Sequence, residues 1–273
     1  MTGWAKSHFG DHRDGFESLH IGLTVELIAT PRRDLKVCSA DDRIADVIKE
    51  NIEHYDYLPV VRSEDDQKIT GLFHTKRLAG NAPPGTTVAE EFTPLSEETI
   101  IGADSSILEF ISDADRKPCR LVITGVRIVG LVSLSDLQRL PVRAALFALI
   151  TGFEITMMSA IRRWYGGEDD WIGNLSDDRR SKLEEQRNLS LSKDGLIDSL
   201  LLTQFSDKKQ LILKRYQGQR SKSSLKEALS KIEKLRNFVA HANDYAASPD
   251  QASEVCAVVR KLVELRSEIS NSG

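Results

Sequence analysis

The sequence predicts an α+β chain: an N-terminal tandem pair of βαββα units followed by an all-α helical bundle. Three observations carry this. The stretch LTVELIATPRRDLKVCSADDRI from Leu23 recurs as TTVAEEFTPLSEETIIGADSSI from Thr86. KITGLFHTKRL from Lys68 recurs as RIVGLVSLSDL from Arg127. After Ser133 no β-rich run remains, and apolar residues follow a helical period instead. A unit that occurs twice in one chain packs its copies on each other. The expected organisation is therefore an arm over 1–22, a repeat pair over 23–140 (copies 23–80 and 86–140), and a helical domain over 141–273.

Each repeat reads alike. Thr24, Val25, Thr30, Pro31, Ala40, Asp41 and Ile44 match Thr87, Val88, Thr93, Pro94, Ala103, Asp104 and Ile107. A short strand (Lys36 to Cys38; Thr99 to Ile101) leads to a helix starting near Asp41 or Asp104, both good N-caps. The first such helix is amphipathic through Ile44, Val47, Ile48 and Ile52. YLPVV and KITGLF form two strands in copy one; RLVIT and RIVGLVS do so in copy two. A short helix closes each unit, and NAPPG over 81–85 breaks the chain between them.

In the second half, Pro141 suits a first helical turn, and a long helix runs from Val142 to Tyr165. Phe147, Ile150, Met157 and Ile161 form its stripe, with Glu154 inside it. The run 166–170 ends it. Ser176 caps a helix to Gln186, and short helices follow over 195–205 and 207–216, the latter capped by Ser206. Gln217 to Ser223 is a flexible basic loop. Ser224 and Glu227 make a capping box for a helix to His241, with Leu225, Leu229, Ile232 and Val239 on its apolar stripe. Ser248-Pro249-Asp250-Gln251 caps a last helix through Val255, Val259 and Leu262.

Composition is that of a soluble globular chain: 273 residues, 40% hydrophobic and 29% charged. Cys38, Cys119 and Cys256 are odd in number and widely spaced, which fits neither a disulfide framework nor a metal-ligand pattern. The first twenty residues carry no apolar run, so no signal peptide is expected, and Ala144 to Phe153 is too short to span a bilayer. A cytoplasmic protein with no membrane partner is the expectation. Net charge is −4, divided as −7 over residues 1–141 and +3 over 142–273. Ten basic residues and two acidic ones lie between Lys208 and Arg236. They form either a solvated helical face or a polyanion-binding strip.

The repeat order over 23–140 resembles a tandem CBS-domain pair. That resemblance implies adenosine nucleotides (AMP, ADP or ATP) bound in clefts between the copies. Gly130-Leu131-Val132-Ser133-Leu134-Ser135-Asp136 matches the family's ligand motif. It implies that Asp136 accepts ribose hydroxyls and that Ser133 meets phosphate; Asp136 as a mere helix cap is the alternative. Arg120, aligned with Pro59 of copy one, is a candidate phosphate contact. Copy one departs from the motif at His74 and Arg77, so Lys76 and Arg77 either hold extra phosphates or mark a dead site.

Arg236-Asn237-Phe238-Val239-Ala240-His241 resembles the Arg-x4-His signature of HEPN-family helical domains. Many members are metal-independent ribonucleases whose site forms across a dimer. The resemblance implies an RNA partner, a homodimer through the helical domain and no cofactor for cleavage. Arg236 would stabilise the phosphate, Asn237 would orient the phosphate or His241, and His241 would act as general acid or base. Arg236 and His241 lie roughly 140° apart on one helix, so two antiparallel copies are needed to bring them together. Glu154 and Arg236 each sit on the apolar stripe of their helix, so they are expected to pair. The competing reading is a non-catalytic adenine-nucleotide sensor whose helical domain serves dimerisation or partner docking.

Overall fold

The structure is a computed structural model describing residues 22–63, 67–78, 85–167, 169–192 and 198–272. The expected arm over 1–22 and the break at NAPPG fall almost wholly outside these residues, as do Glu168 within the run 166–170 and the expected helix start at Gly195; the long helix ends at Tyr165, just before that run. Two compact units are present. One comprises residues 22–143 together with Ala246–Cys256; the other comprises Ala144–Tyr245 and residues 257–272.

The first unit holds two four-stranded sheets. One has the order β2–β3–β4–β5, with β2 Cys38–Ser39, β3 Tyr57–Val61, β4 Ile69–His74 and β5 Thr93–Pro94. The other has the order β1–β8–β7–β6, with β1 Thr30–Pro31, β6 Ile100–Gly102, β7 Cys119–Thr124 and β8 Arg127–Ser133. The repeated Thr-Pro pairs are exchanged: copy one lends Thr30–Pro31 to the sheet of copy two, and copy two lends Thr93–Pro94 to that of copy one. The segment before each copy docks likewise. Val25 N–H donates to Ser105 O at 2.8 Å, and Val88 N–H to Asp42 O at 2.9 Å. This exchange explains a shared residue of the repeat. A Cβ on Gly130 would lie 2.6 Å from Thr30 O, and one on Gly71 would meet Thr93 O closer still. Only glycine admits the visiting strand.

One face of the first sheet packs on α1 (Ile44–Glu50) through Cys38, Ile44, Val47, Leu58, Val60 and Phe73, with Val88 lent by copy two. Between the copies, Val61, Ile69 and Leu72 meet Cys119 and Leu121. Copy one ends in α2 (Thr75–Leu78), and copy two carries α3 (Ile107–Asp113) and closes in a 3-10 turn at Leu134–Gln138. The helices start later than Asp41 and Asp104, which sit in the preceding turns. Arg43 and Ser106 take the cap positions instead, and the Ser106 hydroxyl accepts from Leu108 N–H at 3.0 Å. The backbone bridges Thr24–Ser106 and Arg43–Thr87 hold those residues extended.

The second unit is helical: α4 Leu140–Tyr165, α5 Asp177–Leu191, α6 Phe205–Arg215, α7 Lys222–Ala240 and α8 Pro249–Asn271. The ends of α4 and α8 belong to the first unit. By length and composition α4 could cross a membrane, yet half of its most apolar window is buried inside the protein. Its core stripe runs through Leu146, Leu149, Phe153 and Met157; Phe147 is 56% exposed. A helix apolar on most of its circumference gives a poor bearing for its buried face. Two caps also differ from expectation. Ser221, not Ser224, caps α7, so the helix begins earlier than its pattern suggested, and Gln204 with Asp207, not Ser206, caps α6.

Candidate functional site

A cleft of about 420 Å³ opens between the two repeats. Each copy contributes its corresponding position. Tyr57 stands opposite His74 across β3 and β4, and Cys119 opposite Ser133 across β7 and β8. The Tyr57 and His74 rings stack at 4.4 Å and 10°. Burial holds the His74 pKa below its ordinary 6.5 despite the nearby Asp56 carboxylate, so the ring is neutral at pH 7. Burial likewise pushes the Tyr57 and Cys119 protons to higher pH. The loop leading into β3 is pinned by Asn51, whose amide bonds Tyr55 O at 2.8 Å and Tyr55 N–H at 3.1 Å. It also places His54 in the left-handed region at φ 55°. Ser133, Ser135, Leu131 and Pro118 form the opposite wall.

Ser133 lines the cleft, but Asp136 and Arg120 do not. Asp136 is 7% exposed and caps the 3-10 turn: one oxygen accepts from Ser133 N–H at 2.7 Å, the other from Arg139 Nε at 2.7 Å. Burial raises its pKa, while these donors oppose the rise. Arg120 turns away from the cleft. Its guanidinium bonds Asp113 at 2.7 Å and Phe110 O at 3.1 Å, and lies 5.0 Å over the Phe110 ring. The reason is register. Arg120 pairs with Val132, as Leu58 pairs with Phe73, so its counterpart is Leu58 rather than Pro59. A shift of one residue reverses the face of a strand. In copy one, Lys76 bonds Asp56 at 2.8 Å.

The helical unit carries a second cluster. Glu154 on α4 bridges two cations, Arg236 Nε at 3.4 Å and Lys208 Nζ at 3.4 Å. The expected pairing of Glu154 with Arg236 is present, although the Arg236 side chain is 40% exposed rather than buried. Lys208 is the buried partner, 3% exposed, with Thr203 O at 2.8 Å. Desolvation lowers its pKa, opposed by Glu154. Nothing in the sequence distinguished Lys208 from its nine basic neighbours. Arg236 also donates to Asn237 Oδ1 at 3.3 Å, and Asn237 and His241 are exposed, with His241 at the C-cap of α7.

The basic run is not one uncommitted strip. Lys209 bonds Glu233, Lys214 bonds Asn174 O at 2.6 Å, and Arg215 lies over Tyr165. Arg220 is clamped by Glu264 and Glu268 at 2.8 and 2.7 Å.

Residues 25–81 match the family model for the CBS domain, so the first repeat carries that domain. A curated relative, Toxin Afp18 of Yersinia ruckeri serotype O1, is 30% identical over 188 residues. The match covers 64% of this chain but only 8% of that protein, so it reaches past the repeats. Solved structures similar to the repeat region include the CBS domain of a bacterial CNNM/CorC-family Mg2+ transporter in complex with ATP. It is 22% identical, with a TM-score of 0.38, covering 46% of this chain and 92% of that one. Another is CBSX2 from Arabidopsis thaliana, 20% identical at a TM-score of 0.34, covering 45% and 94%.

Proposed function

We propose that this chain senses adenosine nucleotides (AMP, ADP or ATP) in the inter-repeat cleft and couples that site to its helical domain. The observation that carries this is the cleft itself, whose volume falls in the range of small-molecule sites. The stacked Tyr57–His74 pair offers a flat, uncharged π-surface suited to a purine. The hydroxyls of Ser133 and Ser135 face it, suited to ribose or phosphate oxygens. Asp136 serves this reading as the residue that fixes Ser133. Thermal unfolding tests it. A nucleotide at a hundred times its Kd adds about 2.7 kcal/mol to stability, and Tyr57→Ala should lose most of that gain. The absence of any shift with all three nucleotides would end the proposal.

One observation favours a second reading, in which the helical domain is a HEPN-like, metal-independent ribonuclease. Glu154 holds Arg236 while Asn237 and His241 stand exposed toward the end of the same helix. The similarity to part of a protein named a toxin extends past the repeats into the helical domain. In this reading the RNA 2′-oxygen bonds to phosphorus and the 5′-oxygen leaves, giving a cyclic phosphate and a 5′-hydroxyl. His241 moves the proton, and Arg236 with Asn237 meets the phosphate charge across a homodimer. Incubation with RNA in EDTA tests it. His241→Ala should cut at least about a hundredfold more slowly, and equal rates would leave a non-catalytic docking module.

A further inference from the structure

The inter-repeat cleft has a third wall, supplied from far along the chain. Ala246, Ala247, Ser248, Pro249 and Ala252 line it, and all belong to the same compact unit as the repeats. Gln138, in the turn that follows Ser133, donates from Nε2 to Ala246 O. The wall is stiff, because it is the reciprocally capped start of α8. Ala247 N–H donates to Gln251 Oε1 at 2.9 Å, and Gln251 N–H to Ser248 Oγ at 3.3 Å. Ala246 and Ala252 are 4% and 2% exposed.

The same segment follows directly on the end of α7. Only four residues separate His241 from Ala246. Both ends of this link are tied. Asn243 N–H donates to Phe238 O at 3.0 Å after Ala242 turns left-handed at φ 55°. At the other end Gln138 holds Ala246. A chain so short and so fixed has little slack to absorb a displacement of either end.

We propose that the Ala246–Ala252 wall is the element through which a ligand in the cleft acts on the end of α7 that bears Asn237 and His241. A nucleotide filling the cleft touches this wall, tightens or shifts it, and thereby changes the α7 terminus. The identity of the ligand rests on the nucleotide reading above; the mechanical link does not.

Amide hydrogen exchange followed by NMR on the full chain separates the two. In the ligand-free protein, Gln138→Ala removes one tether of the wall by truncating an exposed side chain. The His241 and Asn243 amides should then exchange roughly two- to tenfold faster, the range expected for one lost hydrogen bond. Unchanged exchange at both amides overturns the proposal. In wild type, millimolar ATP or AMP should slow exchange at Ala247 and Asn243 as well as at His74 and Ser133. Slowing confined to His74 and Ser133 overturns the proposal while leaving the nucleotide reading intact. Faster exchange in Gln138→Ala, with no response to either nucleotide, supports the link and removes the nucleotide reading.

Discussion

Glu154→Gln keeps the shape of the side chain and removes the charge that two cations share. Its cost follows from the surroundings. Lys208 is 3% exposed and loses its ion-pair partner, keeping Thr203 O at 2.8 Å and the charge of the neighbouring Asp207. Breaking a buried pair costs about 3–5 kcal/mol. The retained carbonyl and the 3.4 Å contact distances reduce this, and the half-exposed Arg236 adds a surface-like contribution near zero. The expected loss is about 2–3 kcal/mol, or about 5–10 °C in midpoint at this chain size. Urea unfolding followed by the fluorescence of Trp164 and Trp171, both in the helical unit, measures it. Adding Lys208→Met should restore most of the loss, because an apolar side chain needs no counter-charge.

The pH dependence has a definite sign. The folded-state pKa of Lys208 lies below its ordinary 10.5, so between the two values the unfolded chain binds the extra proton and stability rises with pH. The defect of Glu154→Gln should therefore shrink as pH rises toward 10.5, where Lys208 is neutral in both folded proteins. A single variant within about 0.5 kcal/mol of wild type, or a double variant no better than the single, would refute this account of the cluster.

Further outcomes can be measured in the same way. Gly130→Ala should cost at least about 2 kcal/mol by driving Thr30 out of the exchanged sheet, whereas Gly173→Ala, with open space around it, should not. Ala242→Gly should stabilise by about 1 kcal/mol, since Ala242 sits at φ 55°. Lys261 and then Arg220 depress the pKa of Glu264, and Arg220 that of Glu268, so that stability is present above their ordinary 4.5 and fades as pH falls through the lower folded values. Arg220→Gln should flatten the acid limb of the stability curve. Cys38, pushed up to about 12 by burial, and the equally buried Cys119 should resist alkylation at pH 8 in the native state and react once unfolded.

Much of the repeat pair was legible because the chain states it twice. Matching Thr-Pro pairs and matching glycines located the strands, although only the structure revealed that the Thr-Pro strands are exchanged between sheets. Periodicity placed α7 and its buried residues, and charge on two apolar stripes predicted the Glu154–Arg236 pair. Arg120 was misplaced for a physical reason: an alignment one residue out reverses the face of a strand. Lys208 was not legible, because a lysine on an amphipathic helix looks alike buried or exposed until its neighbours are known. Nor was the third wall of the cleft. Contacts between Gln138 and Ala246 span 108 residues, and no local pattern encodes so distant a pairing.

Photolabelling with 8-azido-ATP tests the nucleotide site most directly. The account predicts ATP-protectable labelling confined to peptides carrying Tyr57–His74, Ser133–Gln138 and Ala246–Ala252, and its loss in Tyr57→Ala. Labelling that ATP fails to displace, or that maps to the groove around Asp177 and Arg187, would contradict it.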